Sequence, residues 1–533
     1  MPGVADAVNS GERGEAVGPG GAQKSRGVSG TGQGESRSNF AHVEPRSAAQ
    51  AFDARQGPSP PLHRSRRMPR SNARPRRRFV WTVVTASLML MAVVVTTAVN
   101  AQAAVVASPS HVPSLQLTLG PPVNEPTDFW GMDLIADKNP GPDPATLLAA
   151  TPARVLSYPV ANVTETMNLT SGVVYHEGGT TKAVVPISQF ISICAAISCH
   201  AIIGLPMEIN STSTDAYEAH YIVDVLKFHP EYFVYGNEPA HWSCFGISWV
   251  QLAEGTPCNT GNITIPAFAN ETAAAIQAVN TALDGQNVPA AMCLGGTGKQ
   301  GPVNETNWIL GLEANPYDSE NCAAYAMHVK DAHSQTTVPT LANFYATLTG
   351  PQSLVADYQN VSPITDGKPL YMTEVGAFTP KSVFTPVFRG TWAQDVLDSA
   401  MVVQSMQNVL PDMAWWAWAL GGKDAVYDGQ TTTLYAIWAT LFTKLGPVWQ
   451  SSEYHGQSGV FAEAAWTGTE WSILLVNTNI TESFHFGLHE TGLPLVGSGT
   501  LYTWTSTGDV VQSEHPLRNG FTAPPQSVVM LVA

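Results

Sequence analysis

The chain has 533 residues, a formal net charge of −16 and six cysteines, room enough for a domain of barrel size with a smaller one beside it. The charge is unevenly spread: up to Ala104 there are 14 Lys/Arg against 6 Asp/Glu, and after it 12 against 36. So acidic and Lys-poor a body excludes nucleic acid as a partner, because phosphate binding needs clustered cations, and at neutral pH it repels anionic membranes and polymers.

Residues 1–78 are rich in Gly, Ser, Arg and Pro, with Phe40 and Phe52 their only aromatics. Such a segment buries too little apolar surface to offset its ordering entropy and reads as a disordered tail. It ends in a basic run in which eight positions from Arg64 to Arg78 are Arg. The apolar stretch Phe79 to Val99 follows, and no charge intervenes between Arg78 and Glu125. Its length could cross a bilayer, with the basic flank inside and the body outside. The small residues of Val99-Asn100-Ala101 and Ala101-Gln102-Ala103 also suit signal peptidase, so 79–104 is a signal peptide or a signal anchor. Met68 is an alternative start that would make 68–104 an ordinary export signal. Either way the body is expected to be extracellular, free or anchored to the outer face of the cytoplasmic membrane, and membrane contact is confined to the N-terminal segment if it stays uncleaved.

Residues 105–126 read as a linker in which the alternation Leu115-Leu117-Leu119 can add a strand to a later sheet. From about Thr127 short apolar runs alternate with helix-like stretches. The expected strands are Phe129–Asp133, Arg154–Tyr158, Ala201–Pro206, Tyr232–Gly236, Ala290–Gly295, Ala323–His328, Leu370–Glu374 and Met413–Leu420. Helical patterns over Ala216–Phe228, Asn270–Leu283 and Thr391–Val409 lie among them. Eight strands with intervening helices predict an α/β fold, a (β/α)8 barrel over 127–445. After Gly446-Pro447 strands come without helices, at Gly459–Ala465, Glu470–Asn477, Ser483–Leu488, Gly499–Thr505 and Ser527–Val532, which predicts a C-terminal β-sandwich over 446–533.

All six cysteines and eight N-x-S/T sequons (Asn162, Asn168, Asn210, Asn262, Asn270, Asn304, Asn360 and Asn479) follow the apolar stretch. An even cysteine count fits disulfides in an oxidising compartment, with neighbour pairing 194–199, 244–258 and 293–322 the simplest arrangement and buried free thiols the alternative. The low charge density suits acid surroundings, and the acidic balance suits high salt.

Two apolar strands end in a carboxylate: Tyr232-Phe-Val-Tyr-Gly-Asn-Glu238-Pro239 and Leu370-Tyr-Met-Thr-Glu374-Val-Gly376. In a barrel the C-terminal strand ends line one cleft, so both carboxylates would enter it. One such Glu can simply open a loop; two in one barrel point to glycosidic cleavage, in which one carboxyl protonates the leaving oxygen and the other attacks the anomeric carbon. No HExxH, P-loop or Rossmann fingerprint follows a strand, and neither a metal nor a cofactor is called for.

Gly236-Asn237-Glu238-Pro239 resembles the signature at the end of strand four in glycoside hydrolase clan A, and Tyr371-Met-Thr-Glu374-Val-Gly376 resembles that clan's nucleophile strand seven. Within the clan the chain looks most like family 79, the β-glucuronidase and heparanase group, with families 39, 51 and 30 close to it. The resemblance implies a retaining hydrolase with Glu238 as acid/base, Glu374 as nucleophile, Asn237 on the sugar 2-hydroxyl and His328 orienting the nucleophile. It implies Trp416 and Trp418 of strand eight as the platform beneath the sugar ring. The substrate would be an oligosaccharide, polysaccharide or smaller glycoside; oligomeric state is not readable. There is one departure: clan members carry an Arg on strand two where this chain has Ser157, and Arg154 could replace it only after an odd-residue register shift. The competing functions are an α-L-arabinofuranosidase or β-xylosidase of the same clan, and a non-catalytic carbohydrate-binding surface protein.

Overall fold

The computed structural model describes residues 114–533 apart from breaks, of which 409–418 and 488–496 are the longest. The basic tail and the apolar stretch 79–99 lie outside the described residues. Among the described residues no helix is long and apolar enough to cross a membrane.

Eight parallel strands carry the larger part of the fold: β1 (Gly131–Leu134), β2 (Val155–Tyr158), β3 (His200–Leu205), β4 (Tyr232–Tyr235), β5 (Ala290–Thr297), β6 (Cys322–Lys330), β7 (Leu370–Gly376) and β8 (Ala419–Gly421). They lie in the order β7-β6-β5-β4-β3-β2-β1-β8, so neighbours in sequence are neighbours in the sheet and the last strand returns beside the first. Parallel neighbours need crossovers, and helices supply them: Ile187–Ile197 before β3, Thr212–His220 before β4, Ile265–Ala282 before β5, Pro302–Glu313 before β6, Leu354–Val361 before β7 and Trp392–Gln407 before β8. The sheet is a nearly closed barrel, and the stretch leading into β8 coincides with 409–418.

A strand covered on both faces reads as an uninterrupted apolar run rather than an alternation, which is why these segments stand out in the sequence. Their side chains still alternate between two cores. Val155, Ile202, Met292, Leu294, Ala324, Ala326 and Tyr371 fill the barrel interior. Leu156, Ile203, Phe233, Cys293, Tyr325 and Met372 face outward and join the core shared with the helices.

The sandwich is a seven-stranded antiparallel sheet facing a three-stranded one. In order across the larger sheet run Leu117–Asn124, Val448–Tyr454, Val460–Trp466, Trp471–Asn477, Ser527–Val532, Ser498–Thr505 and Gly508–Pro516. The smaller contains Ser114–Leu115, Phe484–Phe486 and Phe521–Ala523. The Leu115–Leu119 segment therefore serves both sheets. Ala462, Ile473, Leu475, Phe484, Phe486 and Leu531 pack between them. The other face of the large sheet lies on the helix Trp392–Gln407, where Gln407 Nε2 donates to Ala462 O at 2.7 Å. Barrel on one side and sheet on the other bury this helix continuously from Val396 to Met406, its polar Asp398, Ser399, Gln404 and Ser405 included.

The cysteines pair as neighbours, Cys194–Cys199, Cys244–Cys258 and Cys293–Cys322.

Candidate active site

The chain turns abruptly after β4. Gly236 has φ +80°, and a Cβ there would stand 2.7 Å from Cζ2 of Trp242, so glycine is required twice over. Two residues later Glu238 also lies in the left-handed region, at φ 47°, a strain of about 1–3 kcal/mol that persists only where surroundings hold it. They do so through Asn237: its carbonyl accepts from Trp242 Nε1 at 2.6 Å, and its N–H donates to the carboxylate of Glu165. Glu165 is fully buried and also accepts from Met207 N at 2.8 Å and Glu208 N at 2.6 Å. One carboxylate thus ties together the loops after β3 and β4. Burial and the neighbouring Glu208 push its pKa well up, against the pull of the N–H donors.

Glu374 reaches the cleft by a different device. On β7 Tyr371 faces the interior, so strict alternation would send residue 374 outward. The register against β6 runs Met327 to Met372 and then His328 to Glu374, leaving Thr373 as an extra residue. This β-bulge re-aims the strand end, and Glu374 and His328 both line the cavity.

The three groups converge. His328 Nδ1 lies 3.1 Å from Glu238 Oε1 and 3.7 Å from Glu374 Oε2, and one oxygen of each carboxylate and the imidazole nitrogen all fall within 4.8 Å of one another. His241 Nδ1 approaches the other Glu238 oxygen at 3.0 Å. Burial raises the pKa of Glu238, but the hydrogen bonds from His241 and His328 outweigh it and hold the carboxyl below its usual range.

The cavity beside them is lined by Ser157, Asn237, His328, Thr373 and Glu374 among others, with no Lys or Arg among its described lining. Asn237 Nδ2 and Thr373 Oγ1 are buried there with no hydrogen-bond partner among the described residues, a costly condition for a polar group.

Asn237, Glu238, His328 and Glu374 are therefore brought together. Trp416 and Trp418 lie outside the described residues. Within the triad His328 stands closer to Glu238 than to Glu374. The register shift that would have substituted Arg154 does not occur: Ser157 pairs with Asp133, lines the cavity and is buried, whereas Arg154 is exposed at the start of β2. Sequence reasoning missed Glu165, His241 and Thr373. His241 follows Glu238 by three residues, a spacing that could have drawn notice; nothing in Val163-Thr-Glu-Thr166 marks Glu165.

No protein-family model matches the chain, and no curated protein does. Solved structures do resemble it. A family 51 α-L-arabinofuranosidase from Bifidobacterium longum superposes with a TM-score of 0.59 at 12% identity, covering 80% of this chain and 99% of its own. An α-L-arabinofuranosidase from Thermotoga maritima, in complex with arabinose, gives 0.59 at 12%, covering 79% and 99%. A family 44 xyloglucanase from Paenibacillus polymyxa, with xyloglucan, gives 0.58 at 11%, covering 79% and 99%. The chain shares the fold of these glycoside hydrolases of families 51 and 44.

Proposed function

We propose that the chain is an exported retaining glycoside hydrolase acting on a neutral sugar, with Glu374 as nucleophile and Glu238 as acid/base. The observation that carries this reading is the approach of the two carboxylates at the C-terminal strand ends, with oxygens inside 4.8 Å. Retaining enzymes hold their carboxyl groups about 5–5.5 Å apart, and inverting ones about 6.5–9.5 Å apart to admit a water. Glu374 attacks the anomeric carbon while Glu238 protonates the departing oxygen; water activated by Glu238 then opens the glycosyl ester and restores the configuration.

His328 has two tasks in this scheme. It donates to Glu238 and, when cationic, lowers the energy of the Glu374 carboxylate, which has no Arg from β2 beside it. In the free chain the hydrogen bonds from the two imidazoles favour the ionised form of Glu238. A substrate displacing water from the cleft penalises the charged carboxylate and so favours the protonated Glu238 that the leaving oxygen needs. Asn237 Nδ2 takes the 2-hydroxyl.

A uronic acid needs a cation or a cluster of donors for its carboxylate, and the described lining offers no Lys or Arg. This favours a neutral pentose or hexose over the glucuronides of family 79. An α-L-arabinofuranoside is the first substrate to test, since arabinofuranosidases are prominent among the proteins that share the fold. Export rests on the N-terminal sequence and is supported by the three disulfides, bonds that persist in oxidising compartments. Proton NMR of the first product of aryl α-L-arabinofuranoside hydrolysis tests the mechanism: the account expects the substrate's own anomer before mutarotation, and the opposite anomer would remove Glu374 as nucleophile.

A further inference from the structure

A second group of metal-competent side chains lies at the other end of the barrel. Asp128 precedes β1, His200 opens β3 and Glu231 precedes β4. All three therefore sit where strands enter, roughly 16 Å from the cleft by the rise along β4 from Glu231 to Gly236, which lines it. His200 Nδ1 is 2.7 Å from Asp128 Oδ1 and 3.2 Å from Glu231 Oε2, and the three donor atoms lie within 4.8 Å of one another.

Two features separate this arrangement from a plain ion pair. Asp128 is only 6% exposed, and neither its Oδ1 nor His200 Nδ1 makes a hydrogen bond among the described residues, despite their 2.7 Å separation. The two atoms are close, but the contact is not aligned as a hydrogen bond. Donors held about 2.0–2.2 Å from one zinc ion stand roughly 2.8–3.5 Å from each other, a range that contains the 3.2 Å approach and that the 2.7 Å one just undershoots. The exposure is graded as well: Asp128 forms a buried wall, while the side chains of His200 and Glu231 are 43% and 40% exposed, leaving room for water to complete the coordination.

We propose that Asp128, His200 and Glu231 form a binding site for a first-row divalent cation, Zn²⁺ in the first instance, that clamps the entries of β1, β3 and β4. One imidazole nitrogen with two carboxylate oxygens is a donor set suited to Zn²⁺ rather than to Ca²⁺ or Mg²⁺, which take oxygen. Its position at the N-terminal face of the strands makes the role structural, since chemistry in such barrels occupies the opposite face. The site is independent of the proposed hydrolase activity.

Zn²⁺ titration by calorimetry on the full chain, stripped with chelator, tests this. Because Glu238, His328 and Glu374 could also take an ion, the titration is run in a Glu374→Gln background. The site predicts one equivalent of bound Zn²⁺ and a rise in melting temperature. Adding Asp128→Asn or His200→Gln should weaken binding by at least about tenfold, the lower bound for losing even an outer partner of a ligand. His200→Gln alters a partly exposed side chain and keeps the test valid if Asp128→Asn fails to fold. No binding in the Glu374→Gln chain, or binding unchanged by His200→Gln, would overturn the proposal.

Discussion

Glu374 lies in register with His328 because Thr373 is an extra residue on β7. Without that bulge the alternation from Tyr371 would turn Glu374 away from Glu238. The insertion brings the two carboxylates together and places His328 Nδ1 within reach of both, 3.1 Å from Glu238 and 3.7 Å from Glu374.

His241 bears on the pH dependence. Its Nδ1 donates to Glu238 Oε2 at 3.0 Å and helps hold that carboxyl below its usual range. Removing the donor disfavours the charged form and raises the Glu238 pKa. In His241→Ala the alkaline limb of the kcat/KM profile, where the general acid loses its proton, should therefore move to higher pH. A limb that stayed in place or moved to lower pH would exclude this role.

Glu165 holds Asn237, Met207 and Glu208 by their N–H groups. Glu165→Gln keeps the shape but replaces one acceptor oxygen with a donor, leaving a buried N–H unmet at a cost of about 1–3 kcal/mol. Urea unfolding should register that loss, and kcat should fall although Glu165 lines no part of the cavity. Unchanged stability with unchanged kcat would show that the two loops hold themselves.

Stability should fall as pH rises. Burial pushes Glu125, Asp318 and Asp357 up to about 7 and Glu218 up to about 8; Asp215 is also raised well up by burial, with Glu218 and Glu271 adding to it. In the unfolded chain such groups titrate near 4. Between these values the folded state binds more protons, so the stabilisation is complete below about pH 4 and is lost as pH climbs through 7 to 8. Melting temperatures measured from pH 5 to 8 should decline steadily, as suits a protein working in acid; a rise across that window would contradict the burial of these carboxyls in protonated form.

Much of this was legible in the sequence, for physical reasons. Strands such as Tyr232–Tyr235 and Leu370–Gly376 are covered on both faces, so they appear as apolar runs whose terminal glutamates are conspicuous. Gly508–Pro516 was missed because it is exposed along most of its length and carries no alternation to read. Val448–Tyr454 was hidden because Gly446-Pro447 resembles a boundary rather than a strand entrance. The bulge at Thr373 left no mark, since its registration depends on β6, a partner strand about forty residues earlier. Glu165 was silent for a similar reason: its three N–H donors come from loops far along the chain.

The most direct test compares hydrolysis rates of wild type, Glu238→Gln and Glu374→Gln on aryl glycosides of neutral sugars, α-L-arabinofuranoside first, from pH 4 to 7. The account predicts activity on at least one neutral glycoside and its loss by about a hundredfold or more in each variant. Glu374→Gln retaining wild-type activity would contradict the central assignment, as would a wild type inactive on every neutral glycoside, short or polymeric.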